Sequence, residues 1–316
     1  MPIIHAYIKR TYATLLILFL LAACVPATQT PTPTIKTTSA GWEIITPHPI
    51  KSATPTATAM EKHPGPTKPA GTPIALPITP TTTCKSDAGE VRLDGFESEI
   101  LGTQFEFRIY LPPCYGSDQD LRYPVLYLLH GLYATDEQWD RIGVDETADA
   151  LITSGEIAPM MIVMPGETSF PSLDTSKFDE VVMNELIPWV DAHYQSIPER
   201  SSRVIGGLSR GAAWAMRIGV ENWQSFSAIG AHSLPIVSTE GHRLLLKLKE
   251  IPLDDLPRLF IDIGDRDPEL PYTQAFEDAL TEADIPHVWY LFLGRHEEPY
   301  WEKHLEVYLR WYAETW

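Results

Sequence analysis

The sequence predicts an α/β domain, with helices packed on both faces of a mostly parallel central sheet, behind a long N-terminal segment of different composition. Three observations carry that prediction. Tyr123–Gly131 is an unbroken apolar run ending in His-Gly, the pattern of a strand covered on both sides. Short apolar segments then alternate with longer helical ones to the C-terminus, as βα units in a parallel sheet require. Between one such pair stands Gly207-Leu208-Ser209-Arg210-Gly211, a glycine-rich turn with one serine at its tip.

The chain has 316 residues and begins with Lys9 and Arg10, a short apolar run over residues 15–21 and then Ala22-Ala23-Cys24. A basic start, a short apolar core and small residues before a cut mark a secretory signal over 1–24, too short to span a membrane comfortably. Leu21-Ala22-Ala23-Cys24 resembles the lipobox of bacterial lipoproteins, which makes Cys24 the expected lipidation site and the body an extracytoplasmic, membrane-anchored one. Residues 25–83 mix Pro, Thr, Ala and Ser and are expected to be a disordered tether, since they hold too little apolar surface to offset ordering entropy. The domain is expected over 84–316. Cys84 and Cys114 are an even pair in an oxidising compartment, so a disulfide between them is expected to fasten its first segment.

Within the domain, Val91–Ser98 and Phe105–Tyr110 alternate apolar with polar residues around Leu101-Gly102-Thr103-Gln104, a hairpin with one buried face. After the Tyr123 strand, Asp145–Ser154 reads as a helix and Met160–Met164 as a buried strand. Phe178–Tyr194 reads as an amphipathic helix kinked at Pro188. Beyond the serine turn come a helix at Gly211–Val220 and strands at Phe226–Gly230 and Leu259–Gly264. A helix at Tyr272–Ala283, a strand at Val288–Leu293 and a closing helix at Tyr300–Tyr312 complete the domain. The stretches 132–144, 165–177 and 231–256 are read as loops that shape a pocket, with Tyr133, Trp139, Phe170 and Trp301 as aromatics able to line it.

The serine turn fits G-x-S-x-G, in which a strained strand-to-helix elbow lifts the hydroxyl above the sheet edge. A serine needs a base to take its proton and a carboxylate to orient that base. In the α/β-hydrolase arrangement they follow in the order serine, acid, histidine, each at a strand end. Here Ile261–Pro268 closes one late strand with acids and Leu291–Glu297 closes the last with His296. Asp262 lies inside its strand, whereas Asp265 and Asp267 both lie just past it and spacing does not separate them. His130, His193, His232 and His304 lack the chain order or the place. The oxyanion donors are expected to be the backbone N–H groups of Arg210 and Leu132.

Tyr110–Tyr115, Tyr123–Gly131, Glu185–Pro188 and Gly207–Gly211 together resemble the putative-esterase family of α/β-hydrolases. That family includes feruloyl and acetyl xylan esterases, enterochelin esterases, S-formylglutathione hydrolase and the mycolyltransferases. The resemblance covers about residues 90–312 and implies the α/β-hydrolase fold and a triad, without fixing a substrate. It places the nucleophile on Ser209 and the base on His296. The family's G-x-x-D pattern falls on Gly264–Asp267 and favours Asp267 over Asp265. Mycolyltransferases carry Asp-Gly where this chain has His130-Gly131, so the chain looks more like the hydrolytic members, and Cys114 stands where many relatives have glycine.

Composition narrows the partners. The chain carries a formal charge of −18, and its first 84 residues hold Lys9, Arg10, Lys36, Lys51, Lys62 and Lys68 against Glu43 and Glu61, so the domain is more acidic still. Such a surface repels phosphate backbones, which excludes nucleic acid as a partner. No His-Glu-x-x-His occurs, so neither a metal nor another cofactor is expected. The leading expectation is a serine esterase acting on a small-molecule or polysaccharide-linked ester. Acyl transfer and a non-catalytic binding lipoprotein on an esterase scaffold are the alternatives, and the oligomeric state is left open.

Overall fold

The computed structural model describes Ser86 and residues 88–316, all of them in the second of the two units into which the chain divides. The expected signal, the lipidation site Cys24, the linker and Cys84 lie outside the described residues. The expected bond to Cys114 therefore has one partner outside them.

Strands β1 (Glu90–Ser98) and β2 (Thr103–Leu111) form the expected hairpin, in register from Glu90 opposite Leu111 to Ser98 opposite Thr103. Its turn uses Gly102 at φ +68°, a left-handed conformation that glycine adopts without a Cβ penalty. The hairpin edges an eight-stranded sheet of order β1-β2-β4-β3-β5-β6-β7-β8. Strand β4 (Met161–Pro165) runs antiparallel to β2, and β3 (Val125–Leu129) lies parallel to both β4 and β5 (Arg203–Leu208). Strands β6 (Ala228–His232), β7 (Arg258–Gly264) and β8 (Val288–Phe292) continue the parallel series.

The unbroken apolarity of β3 has a direct cause. Val125, Tyr127 and Leu129 enter the core on one face, while Leu126 and Leu128 enter the core on the other. Every residue of the strand is buried, and each large side chain contributes about 1.5–3 kcal/mol relative to exposure. Helices α5 (Arg210–Glu221), α6 (Ser238–Glu250) and α7 (Leu270–Glu282) cover the first face. Helices α1 (Glu137–Arg141), α2 (Val144–Thr153) and α8 (Glu298–Ala313) cover the second. In the registered strand interiors of β5 and β6, Gly206 lies opposite Gly230, and a Cβ on either would overlap the Tyr312 hydroxyl that α8 delivers there.

Three elements differ from the sequence reading. The single helix expected at Phe178–Tyr194 is α3 (Phe178–Val181), a π-helical turn (Val182–Leu186) and α4 (Ile187–His193). The widened turn stands immediately ahead of Pro188, whose ring and missing N–H disrupt a regular α ladder one turn back. The stretch 231–256 is no loop for most of its length, since α6 occupies Ser238–Glu250 and seats Leu244 and Leu248 in the core. Likewise 132–144 contains α1. Among the described residues no helix is long and apolar enough to cross a membrane.

Candidate active site

The elbow is dictated by crowding. Strand β5 delivers Ser209 at φ 53°, ψ −123°, and α5 begins at the next residue. A Cβ on Gly207 would overlap the Gly211 carbonyl, and one on Gly211 would overlap the Leu129 carbonyl, so only glycine permits so close a crossing. A non-glycine residue in this region of φ/ψ stores about 1–3 kcal/mol. The Ser209 N–H, donating to the His232 carbonyl at 2.8 Å, helps hold it there.

The C-terminal ends of β7 and β8 bring two partners to that hydroxyl. His296 Nε2 lies 2.8 Å from Ser209 Oγ, and His296 Nδ1 lies 2.8 Å from Asp267 Oδ2. The Asp267 carboxylate has no exposed surface, while the His296 side chain keeps 25% of its own. The imidazole therefore meets solvent and the carboxylate does not. Burial pushes the Asp267 pKa up, but hydrogen bonds from His296, from the Glu269 N–H at 2.9 Å and from the Ser233 hydroxyl outweigh it and hold the carboxyl below its ordinary value. Ser233 in turn accepts from Trp301 Nε1 at 3.1 Å, and the Trp301 ring meets His296 edge-on at 5.2 Å.

The other candidates fall elsewhere. Asp265 accepts the Gly294 N–H at 2.9 Å and stands 3.6 Å from Arg266, bracing the turn that carries His296 without touching its ring. Asp262 is wholly buried and bonds to His232 Nδ1 at 2.6 Å. His193 stacks on Trp189, and His304 stacks on Phe292. Both ring nitrogens of His130 are engaged elsewhere: its Nε2 accepts the Glu167 N–H at 2.8 Å and its Nδ1 donates to the Gly131 carbonyl at 2.8 Å.

The turn after β3 passes beside Ser209, since a Cβ on Gly131 would stand 3.6 Å from Ser209 Cβ. Gln138 holds that turn by accepting the Gly131 N–H at 2.7 Å, and its own amide donates to Glu298 at 3.0 Å. Among the described residues, neither the Leu132 N–H nor the Arg210 N–H donates a main-chain hydrogen bond. Of the four aromatics named from the sequence, Trp139 and Trp301 are core residues. Tyr133 is 82% exposed at φ 63° and meets Phe170 edge-on at 5.5 Å, so these two stand at the surface beside the turn. Sequence reasoning missed Gln138, Glu167 and Ser233, which have no motif of their own. Among the described residues no group of three or more His, Cys, Asp or Glu side chains is placed to hold a metal ion.

The family profile described as "Putative esterase" matches residues 98–312. An endo-1,4-β-xylanase/feruloyl esterase of Xylanibacter ruminicola is 32% identical over 134 residues, 39% of this chain and 18% of that protein. An esterase of Mycobacterium tuberculosis is 28% identical over 151 residues, 44% of this chain and 31% of that one. The chain thus spans between about a fifth and a third of the length of these curated relatives. Among solved structures, a ferulic acid esterase superposes with a TM-score of 0.65 at 25% identity, over 72% of this chain and 99% of that chain. The sheet and its helices are of the α/β-hydrolase type seen in such esterases.

Proposed function

The chain belongs to the family described as putative esterase, and from that membership we propose that it is a serine hydrolase of carboxylic esters working through an acyl-enzyme. The observation that carries the proposal is the continuous hydrogen-bonded line from Ser209 Oγ through His296 to Asp267, 2.8 Å at each step. His296 Nε2 takes the Ser209 proton as Oγ attacks the ester carbonyl carbon, and Asp267 steadies the imidazolium that results. The tetrahedral oxyanion receives the backbone N–H groups of Leu132 and Arg210, each such donor being worth about 10²–10³ in kcat. His296 then passes its proton to the leaving alkoxide oxygen as the C–O bond breaks. In the second half, His296 takes a proton from a water as its oxygen bonds to the acyl carbon, then returns that proton to Oγ as the acyl carbon–Oγ bond breaks, releasing the carboxylic acid and restoring Ser209. The route requires no cofactor.

Relatives named as feruloyl and ferulic acid esterases, together with the surface pair Tyr133 and Phe170, support an aromatic acyl group carried on a polysaccharide. A screen across feruloyl, acetyl and short-chain aryl esters tests that choice. The Ser209→Ala variant should lose p-nitrophenyl acetate hydrolysis by several orders of magnitude and lose labelling by a fluorophosphonate. Undiminished hydrolysis in the variant removes Ser209 from the mechanism. The same proposal places the domain outside the cytoplasm, tethered by acylated Cys24 and closed by a Cys84–Cys114 disulfide. Mass spectrometry of the mature N-terminal peptide and non-reducing peptide mapping test those two points.

A further inference from the structure

We propose that Glu167 is a positioning residue that presets both oxyanion donors at once, an inference that rests on the ester-hydrolase reading and adds to it. Glu167 lies two residues past β4 and is 6% exposed. It reaches the two donors by separate routes.

The first route is through its backbone. The Glu167 N–H donates to His130 Nε2 at 2.8 Å, so the ring proton must sit on Nδ1, which donates to the Gly131 carbonyl at 2.8 Å. That carbonyl and the Leu132 N–H belong to one planar peptide unit and point in opposite directions. Fixing the oxygen fixes the direction of the N–H, on a turn that passes beside Ser209. Burial holds the His130 pKa below its ordinary value, which keeps Nε2 free to accept.

The second route is through its carboxylate. Arg210 Nε donates to Glu167 Oε2 and Arg210 Nη2 to Oε1, both at 2.7 Å, a buried bidentate pair. Arg210 Nη2 also donates to the Pro171 carbonyl at 2.8 Å, and Trp214 Nε1 donates to Oε2 at 3.1 Å. The side chain of Arg210 is thereby pinned, and with it the Ser209–Arg210 peptide that carries the second proposed donor. Surface ion pairs lack such consequences, because water and rotamer freedom dilute them, whereas this pair is buried and forked.

The test compares variants on p-nitrophenyl acetate. Glu167→Gln keeps the backbone route and weakens only the carboxylate route, so kcat should fall about 10- to 100-fold with KM changed by less than about threefold. His130→Asn places an amide donor where Nδ1 was, so it should retain kcat within about threefold, whereas His130→Leu should lose at least about tenfold. Affinity for a boronic acid, which forms a tetrahedral adduct on the serine, should fall in step with kcat. Wild-type kcat in Glu167→Gln, a loss appearing in KM instead, or equal losses in the two His130 variants would overturn the proposal. If Glu167→Gln does not fold by circular dichroism, Arg210→Met and the His130 pair decide it. Absence of Ser209-dependent turnover in the wild type sinks the ester-hydrolase reading itself, while wild-type turnover undiminished in Glu167→Gln sinks only this one.

Discussion

Replacing Asp262 by alanine removes the acceptor on which three buried donors converge. His232 Nδ1 donates to Oδ1 at 2.6 Å, while Tyr300 and Tyr308 donate to Oδ2 at 2.6 and 2.9 Å. Neither Asp262 nor His232 has any exposed surface, so the freed donors do not reach bulk water. Burial, reinforced by the Asp262 charge, raises the pKa of Tyr300 and of Tyr308, and both hydroxyls remain donors throughout the working range. Each stranded donor costs about 1–3 kcal/mol, so the three together cost about 3–9 kcal/mol. That is comparable with the whole stability of an ordinary domain, about 5–15 kcal/mol. Urea unfolding should therefore show Asp262→Ala unfolded or with a collapsed midpoint, and Asp262→Asn between it and the wild type. Removing one stranded donor should then help: Tyr308→Phe should destabilise the wild type yet cost less, or nothing, in either Asp262 background. An unfolding free energy within about 1 kcal/mol of wild type for Asp262→Ala would refute the reasoning. So would an identical cost of Tyr308→Phe in all backgrounds. Activity should follow stability, because Ser209 and Ser233 each donate a backbone N–H to the carbonyl of one member of this pair.

The remaining predictions concern the site. Asp267→Asn should lower kcat about 10³- to 10⁴-fold by upsetting the tautomer of His296, whereas Asp265→Asn, which touches only the Gly294 turn and Arg266, should cost less than about tenfold. Steady-state kinetics on an aryl ester separate the two. Gly211→Ala should cost at least about 10²-fold in kcat, since its Cβ would overlap the Leu129 carbonyl and open the elbow. Thermal melts across pH should show two losses of stability on acidification, opposed in the upper range by Asp145, whose pKa burial and the neighbouring Glu146 push up to about 7 so that its protonation favours the folded chain. Burial depresses the folded pKa of His130 and of His304 below 6.5, so the unfolded chain binds these protons first, and stability present above about pH 6.5 declines below it. Asp267 is depressed below 3.8, so its contribution holds above that value and is lost only at lower pH. Substituting both His130 and His304 by asparagine should remove the upper step and leave the lower one.

What the sequence discloses and what it hides follow from the range of the interactions. Strand β3 is readable because burial on both faces leaves no polar position in five residues. The elbow is readable because two backbone collisions admit only glycine. Serine, acid and histidine are readable in that order because a parallel sheet gathers the ends of β5, β7 and β8 on one edge. Helix α6 blurs its own period: Leu244, Leu245 and Leu246 are consecutive, yet Leu244 is buried and Leu246 is half exposed. Asp265 and Asp267 differ in which carboxylate the turn covers, and the covering groups come from Glu269 and from Ser233 on another strand's loop. His232 reads as a rival base, because nothing local announces that Asp262, 30 residues on, will claim its Nδ1. Glu167 carries no signal at all, since its partners stand 37 and 43 residues away in chain order. Ser209, His296 and Asp267 are thus marked by local strain and by topology, while the groups that hold them in place are chosen by contacts between distant segments. A variant of the second kind is accordingly the sharper test of the folded site, because its effect exists only if the three-dimensional arrangement does.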